Sequence, residues 1–197
     1  MNYLAHARLS FDEPGILAGN MISDFVKGKK KFDYPDEVRK GIELHRSIDE
    51  FTDNHPVTKK AKFFFRQAYG LYAGAFVDIA YDHFLARDKD EFPADTLSVF
   101  TQTVYQRLSV YEAVFPEKFV RFFHHMKTQD WLYNYQYMQG ACNSFEGLVR
   151  RAAYLDDYQT ACNILREHHA GLERCYHEFF PDIKVFARER LRELQTG

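Results

Sequence analysis

The chain has 197 residues, 46% of them hydrophobic and 27% charged, with a formal net charge of −2 at pH 7. This is an ordinary soluble balance: enough chain for one sizeable core, and no global field of the sign that nucleic acid requires. The three cysteines, Cys142, Cys162 and Cys175, are odd in number and lack CxxC spacing, which speaks against a disulfide framework and for a reducing, cytoplasmic setting. The opening "MNYLAHARLSFDEPG" has no long apolar run, and no stretch approaches ~18 uncharged apolar residues, so neither a secretory leader nor a membrane span is expected.

Helices are expected over about 14–26, 35–53, 56–69, 71–88, 93–113, 116–129, 142–154, 157–180 and 181–195. Pro14, Pro35, Pro56, Pro93, Pro116 and Pro181 each stand where one of these segments begins, as proline at a first helical position should. In "PDEVRKGIELHRSIDEFTDN", Val38, Ile42, Ile48 and Phe51 recur at helical spacing. Alternation of the β type is absent over any useful length. The expectation is a single all-α domain over 1–197, a helical bundle. Its 19 Phe and 13 Tyr point to aromatic packing between helices.

The stretch "VDIAYDHFLARD", 77–88, reads as a helix hydrophobic almost all round, yet it carries Asp78, Asp82 and His83. Asp78 and Asp82, four apart, share a face. Burying two ionised carboxylates together is costly unless a cation lies between them. The pattern recurs in "IELHRSIDEFTDNH", where His45, Asp49 and Asp53 are spaced by four, and in "AGNMISDFVKG", with Asn20 and Asp24. Taken singly, Asp53 reads as a helix-end residue and His45–Asp49 as a plain polar pair. Jointly, three helices offering carboxylates and imidazoles from apolar settings point to a divalent metal site. A donor set without thiolate suits Mn, Mg, Fe or catalytic Zn, and hydrolysis of a phosphate ester is the natural chemistry.

Other features are weaker. His124–His125 and His168–His169 read as solvated surface. His6, on a short apolar segment, reads as a core histidine or one supporting the ligands from behind, as do Asn20 and Asp53. Lys27, Lys29, Lys30 and Lys31, with Lys59, Lys60, Lys62 and Arg66, form the only dense basic runs. Such runs are usually solvated faces, but both flank the candidate site, which fits an acidic partner or a phosphate-bearing substrate. Lys27 and Arg46 are the candidates for contact with phosphate.

The segments "MNYLAHARLS", "GNMISDFVKG", "GIELHRSIDEFTDNHP" and "DIAYDHFLAR", in this order, resemble the bacterial acyl carrier protein phosphodiesterases. The resemblance is strong from Met1 to about Arg87 and lies only in helical character beyond. It implies an all-α fold similar to the HD-domain metal phosphohydrolases and a divalent cation, typically Mn. It also implies removal of 4'-phosphopantetheine from a serine of holo-acyl carrier protein. By motif position, the ligand candidates it implies are Asp24, His45, Asp49, Asp78, Asp82 and His83. HD domains read His before Asp, whereas this chain reads Asp82-His83, so the ligating member of that pair stays open. Two other readings remain beside it: hydrolysis of a nucleotide or other small phosphodiester, and a non-catalytic binder of carrier protein.

Overall fold

The computed structural model describes residues 1–196. Every regular element among them is helical. In chain order these are α1 (Tyr3–Arg8), α2 (Pro14–Ile22), α3 (Asp36–Asn54), α4 (Pro56–Tyr69) and α5 (Ala73–Arg87), then α6 (Thr96–Val110), α7 (Glu117–Thr128), α8 (Trp131–Asn134), α9 (Met138–Arg151), α10 (Gln159–Glu167) and α11 (His169–Thr196). Short 3-10 turns join several of them, including Ser23–Phe25 directly after α2.

Local chemistry sets most of the boundaries. Pro14 and Pro56 occupy the first positions of α2 and α4, where no amide hydrogen is needed. His55 caps α4 by accepting a hydrogen bond from the Val57 N–H, 3.3 Å. Asp36 and Glu37 sit at the positive end of α3. Phe11 and Asp12 take left-handed backbone (φ 49° and 66°) in the turn from α1 to α2. Arg107 of α6 holds that turn, donating to the Asp12 carbonyl at 3.1 Å and its carboxylate at 2.8 Å.

Helix α5 lies at the centre. It packs against α1, α4, α9 and α11, and from Phe76 to Ala86 only Asp78 escapes full burial. That is why its sequence shows no polar face. The buried apolar residues form one cluster, in which Phe65 stacks on Phe76 and Phe145 packs tilted against both. Helices α2 and α3 make the closest crossing. Gly19 and Gly41 meet there, and a Cβ on Gly19 would lie 2.8 Å from the Gly41 Cα, with the Val38 carbonyl nearer still.

The helices depart from the expected segments in several places: α1 and α8 lie outside them, α2 stops at Ile22, and α9 begins at Met138. Pro181 does not start a helix but lies inside α11. Proline forfeits one hydrogen bond in a helix interior, but Tyr176, Phe179, Phe180, Ile183, Ala187 and Leu191 keep one buried face across it, and burial outweighs the loss. The break falls instead at His168, between α10 and α11. Cys142 and Cys162, expected as free thiols, form a disulfide between α9 and α10, with Cα atoms 5.5 Å apart; only Cys175 is free. The two helices pack against each other, which twenty residues of separation do not disclose.

The α2–α3 crossing yields a test. Gly41→Ala would set a methyl 2.9 Å from the Gly19 Cα and closer to the Ile16 carbonyl. Backbone cannot step aside as a side chain can, so the helices must part, at a cost of about 1–3 kcal/mol or more. A melting temperature within about 2 °C of wild type would contradict this packing.

Candidate active site

The site is assembled where α1, α2, α3 and α5 converge. Asp82, fully buried on α5, accepts the N–H groups of Leu4 at 2.7 Å and Ala5 at 3.2 Å. It thereby satisfies the first free amides of α1 and fixes that helix against α5. Asp78, one turn earlier, is 3.1 Å from the buried α-ammonium of Met1, which is also 3.5 Å from Asp49. With α1 held, His6 faces α3.

His6 Nε2 lies 3.2 Å from Asp49 Oδ1. His45 Nε2 lies 3.1 Å from Asp49 Oδ2 and 3.3 Å from Asp24 Oδ1. The two imidazoles stack, with centroids 3.9 Å apart. His45 Nδ1 is 2.8 Å from the backbone carbonyl of Asn20, so that nitrogen donates and the ring's orientation is set. The Asn20 side chain donates to the His6 carbonyl at 2.9 Å and to Ser10 Oγ at 3.0 Å, joining α1 to α2. Arg46 donates to the Val26 carbonyl at 2.8 Å and so steadies the turn that carries Asp24. Ligand atoms of His6, His45 and Asp49 all lie within 4.8 Å of one another, a spacing that one ion can bridge. The donor set is imidazole plus carboxylate, and His6 Nδ1 is buried without a partner. These residues fit a divalent cation.

The electrostatics divide the two histidines. Burial opposes charge on His45, but hydrogen bonds and charges of Asp24 and Asp49 prevail and raise its pKa to about 9. Burial and the neighbouring His45 charge lower His6 to about 4. The hydrogen bond from His45 holds Asp24 below the usual carboxylate range against the effect of burial. Burial works against Asp49 as well, but the Met1 ammonium and both histidines take its pKa down. Asp82 moves the other way: burial pushes it up to about 7 in spite of its two backbone N–H groups and the ammonium. Asp78 is also raised by burial, with the ammonium opposing.

Of the residues singled out by sequence, the fold brings together Asp24, His45 and Asp49, with Asn20 behind them. His6, read as a supporting residue, stands beside Asp49 as a potential ligand. Asp78 faces the ammonium, and Asp82 faces α1. His83 is turned to the Tyr135 carbonyl, 2.6 Å from its Nδ1, and its buried Nε2 has no partner. Asp53 is exposed and pairs with Lys62 at 2.7 Å. Lys62 and Arg66, with Asp53 and Asp78, line a cavity of about 450 Å³. Lys27, Lys29, Lys30, Lys59 and Lys60 are exposed, while Lys31 pairs with Glu43 at 2.8 Å. His124, His125 and His168 are exposed; His169 is half-buried, its ring edge-on to Phe84. No helix is long and apolar enough to cross a membrane among the described residues.

The family profile described as acyl carrier protein phosphodiesterase matches residues 1–183. The chain belongs to this family. It is similar to proteins named acyl carrier protein phosphodiesterase from Salmonella paratyphi A (32% identical over 96% of this chain and 99% of the relative) and from Enterobacter sp. strain 638 (31%, with the same coverage). The protein of that name from Escherichia coli O157:H7 is likewise 31% identical over 96% of this chain and 99% of its own length. No solved structure matches.

Two tests follow from the geometry. Asp82→Ala leaves the Leu4 and Ala5 amides unpaired in the core and should cost about 1–3 kcal/mol. The loss should be the same with chelator and with added Mn; a loss seen only with Mn would make Asp82 a ligand instead. The second concerns pH. His45 is raised above its unfolded value near 6.5, so its stabilising charge is fully present below that pH and is lost as pH rises toward 9. The contributions of His6, His83 and Asp82, shifted to about 4, 4 and 7, change at or below neutrality. The Met1 ammonium, raised to about 10, is lost in an overlapping range, so the difference between proteins is the readout. Between pH 7 and 9.5 the metal-free wild type should lose up to roughly 3 kcal/mol more than His45→Gln. Parallel denaturation curves would refute a charged His45.

Proposed function

We propose that this chain, acting as one domain, hydrolyses the phosphodiester that links 4'-phosphopantetheine to a serine of holo-acyl carrier protein. Water attacks phosphorus and the serine oxygen leaves, giving the apo-carrier and 4'-phosphopantetheine. The observation that carries the reading is the convergence of His6, His45 and Asp49 beside Asp24, in a chain of this family. His6, His45 and Asp49 would hold a divalent cation, most suitably Mn, with Mg or Fe as alternatives of similar donor preference. When bound, such a cation lowers the pKa of water and neutralises charge on phosphoryl oxygens.

The chain's own groups have defined tasks. The Asn20 carbonyl keeps the proton on His45 Nδ1 and leaves Nε2 toward the carboxylates. Asp24, whose side chain is 62% exposed and whose pKa is lowered, is the ionised carboxylate able to accept a proton from incoming water. Carrier proteins of this type are acidic, and the exposed lysines at 27, 29, 30, 59 and 60 suit an acidic surface. The cytoplasm is the compartment proposed.

The test joins binding with turnover. At pH 8, His45 in the metal-free protein carries a proton that must leave before Nε2 can ligate. Calorimetry in buffers of differing ionisation enthalpy should show Mn uptake releasing about one proton, and His45→Ala should abolish both uptake and release. Holo-carrier incubated with the Mn-loaded protein should lose the mass of the phosphopantetheine group. Asp49→Ala should reduce kcat/KM by about 10³-fold or more. An intact holo-carrier, with a small phosphodiester cleaved in its place, would defeat the carrier-protein reading.

A further inference from the structure

A cavity of about 490 Å³ opens on the side of α1 that carries Tyr3, and nothing in the sequence pointed to it. Its walls come from the start of α1, from α7, from α8 and from one face of α9. Tyr3 forms one wall. The charges of Asp24 and Arg151 both act on its phenol, so both lie near it. Phe122 is the hub of the aromatic wall: Tyr3 lies 5.0 Å from it, Trp131 packs edge-on at 5.1 Å, and Phe25, the residue after Asp24, lies at 5.6 Å. Arg151 lies over the same ring at 5.5 Å. It is exposed and has no ion-pair partner among the described residues, whereas its neighbour Arg150 pairs with Glu146. Asn143 and Ser144 of α9 add amide and hydroxyl groups to the lining.

The chemistry of this lining is specific. One unpaired guanidinium, that of Arg151, lies over the Phe122 ring of an aromatic wall, and a few amide and hydroxyl groups with the Glu146–Arg150 ion pair complete the lining. It suits a ligand with an anionic phosphate head and a slim, uncharged, amide-containing tail. The volume is that of a pocket for one small molecule. We propose that this cavity receives the 4'-phosphopantetheine arm, with Arg151 paired to the phosphate and the arm lying against Tyr3, Phe122 and Trp131. The proposal rests on the phosphodiesterase reading for the identity of the arm. It adds the residues that grip that arm, at a place separate from the basic runs that suit the carrier surface. An Arg fork stacked on an aromatic ring is well placed for phosphate, because the ring fixes the plane of the guanidinium.

Trp131 is the only tryptophan in the chain, so its fluorescence reports this cavity alone. Titration of the protein as purified with 4'-phosphopantetheine should give a saturable change, and dephosphorylated pantetheine should bind roughly tenfold more weakly or worse. Arg151→Ala should erase that preference, and Arg151→Lys should retain part of it; melting curves for both variants establish that they are folded. Trp131→Phe should lose the optical signal while calorimetry still detects binding. The proposal is overturned if calorimetry detects 4'-phosphopantetheine binding with no response from Trp131. It is also overturned if neither method detects binding, or if Arg66→Ala rather than Arg151→Ala removes the preference, which would move the phosphate to the cavity beside Asp78. Cleavage of holo-carrier, assayed in parallel, separates the two readings. Cleavage with a silent Trp131 removes the cavity and leaves the phosphodiesterase. A responsive Trp131 without cleavage retains the cavity as the arm's binding site and removes the hydrolysis.

Discussion

The Asp82 carboxylate bonded to the first amides of α1 is the interaction on which the site depends. A six-residue helix has almost no stability of its own, because its free end groups outnumber its internal hydrogen bonds. Asp82 supplies the missing acceptors from the rigid centre of the protein. The helix so anchored carries His6 into contact with His45 and Asp49, and carries Tyr3 to the rim of the neighbouring cavity. The buried carboxylate costs solvation energy, seen in its raised pKa, and the fold tolerates it because two backbone dipoles and an ammonium face it.

A second constraint acts from the other side. Gly19 and Gly41 let α2 and α3 approach until backbone touches backbone, and this brings the Asn20 carbonyl within 2.8 Å of His45. Any side chain at that crossing would separate the helix that presents the acceptor from the helix that presents the imidazole. Asp24 follows on the 3-10 turn directly after α2, so it is placed by the same contact. Arg46, read from sequence as a phosphate contact, closes the arrangement by holding the Val26 carbonyl from α3.

How much of this is legible in the sequence depends on the range of the interaction. The all-α class and most helix positions follow from periodicity and proline placement, which are local. The polar positions inside apolar helices mark the residues that matter, because a buried charge always demands a partner. The pattern does not say which partner. Asp82 and Asp49 read alike, as acids four residues from another acid, yet one meets α1 amides and the other meets two imidazoles. The His45–Asp49 pair is local, four residues apart, but the contacts that set the two acids apart, His6 to Asp49 and Leu4 to Asp82, span 43 and 78 residues. His6 shows the same limit from the opposite direction: a lone histidine in "NYLAHARL" has no helical companion to mark it, and only the docking of α1 gives it one. Tyr3, Trp131 and Arg151 leave no pattern at all, since they come from three elements and meet only in the fold.

Exposure sorts the acids into those that can meet a solute and those that cannot. Asp24 and Asp49 keep 62% and 42% of their side-chain surface; His45 holds Asp24 ionised, and the Met1 ammonium with both histidines holds Asp49 so. Asp82 keeps none, and its charge is directed inward to α1. The stacked histidines divide in the same manner. His6, with its pKa lowered to about 4, is neutral at physiological pH and presents Nε2 without losing a proton; His45, raised to about 9, is charged until something displaces its proton. A metal-free site of this kind is partly neutralised from within: the imidazolium of His45 and the ammonium of Met1 stand among Asp24, Asp49 and Asp78 in the positions of counter-ions. An entering cation therefore replaces an existing positive charge and does not fill a purely anionic hole. Its net affinity is the difference between two nearly balanced arrangements, and it rises with pH as His45 gives up its proton.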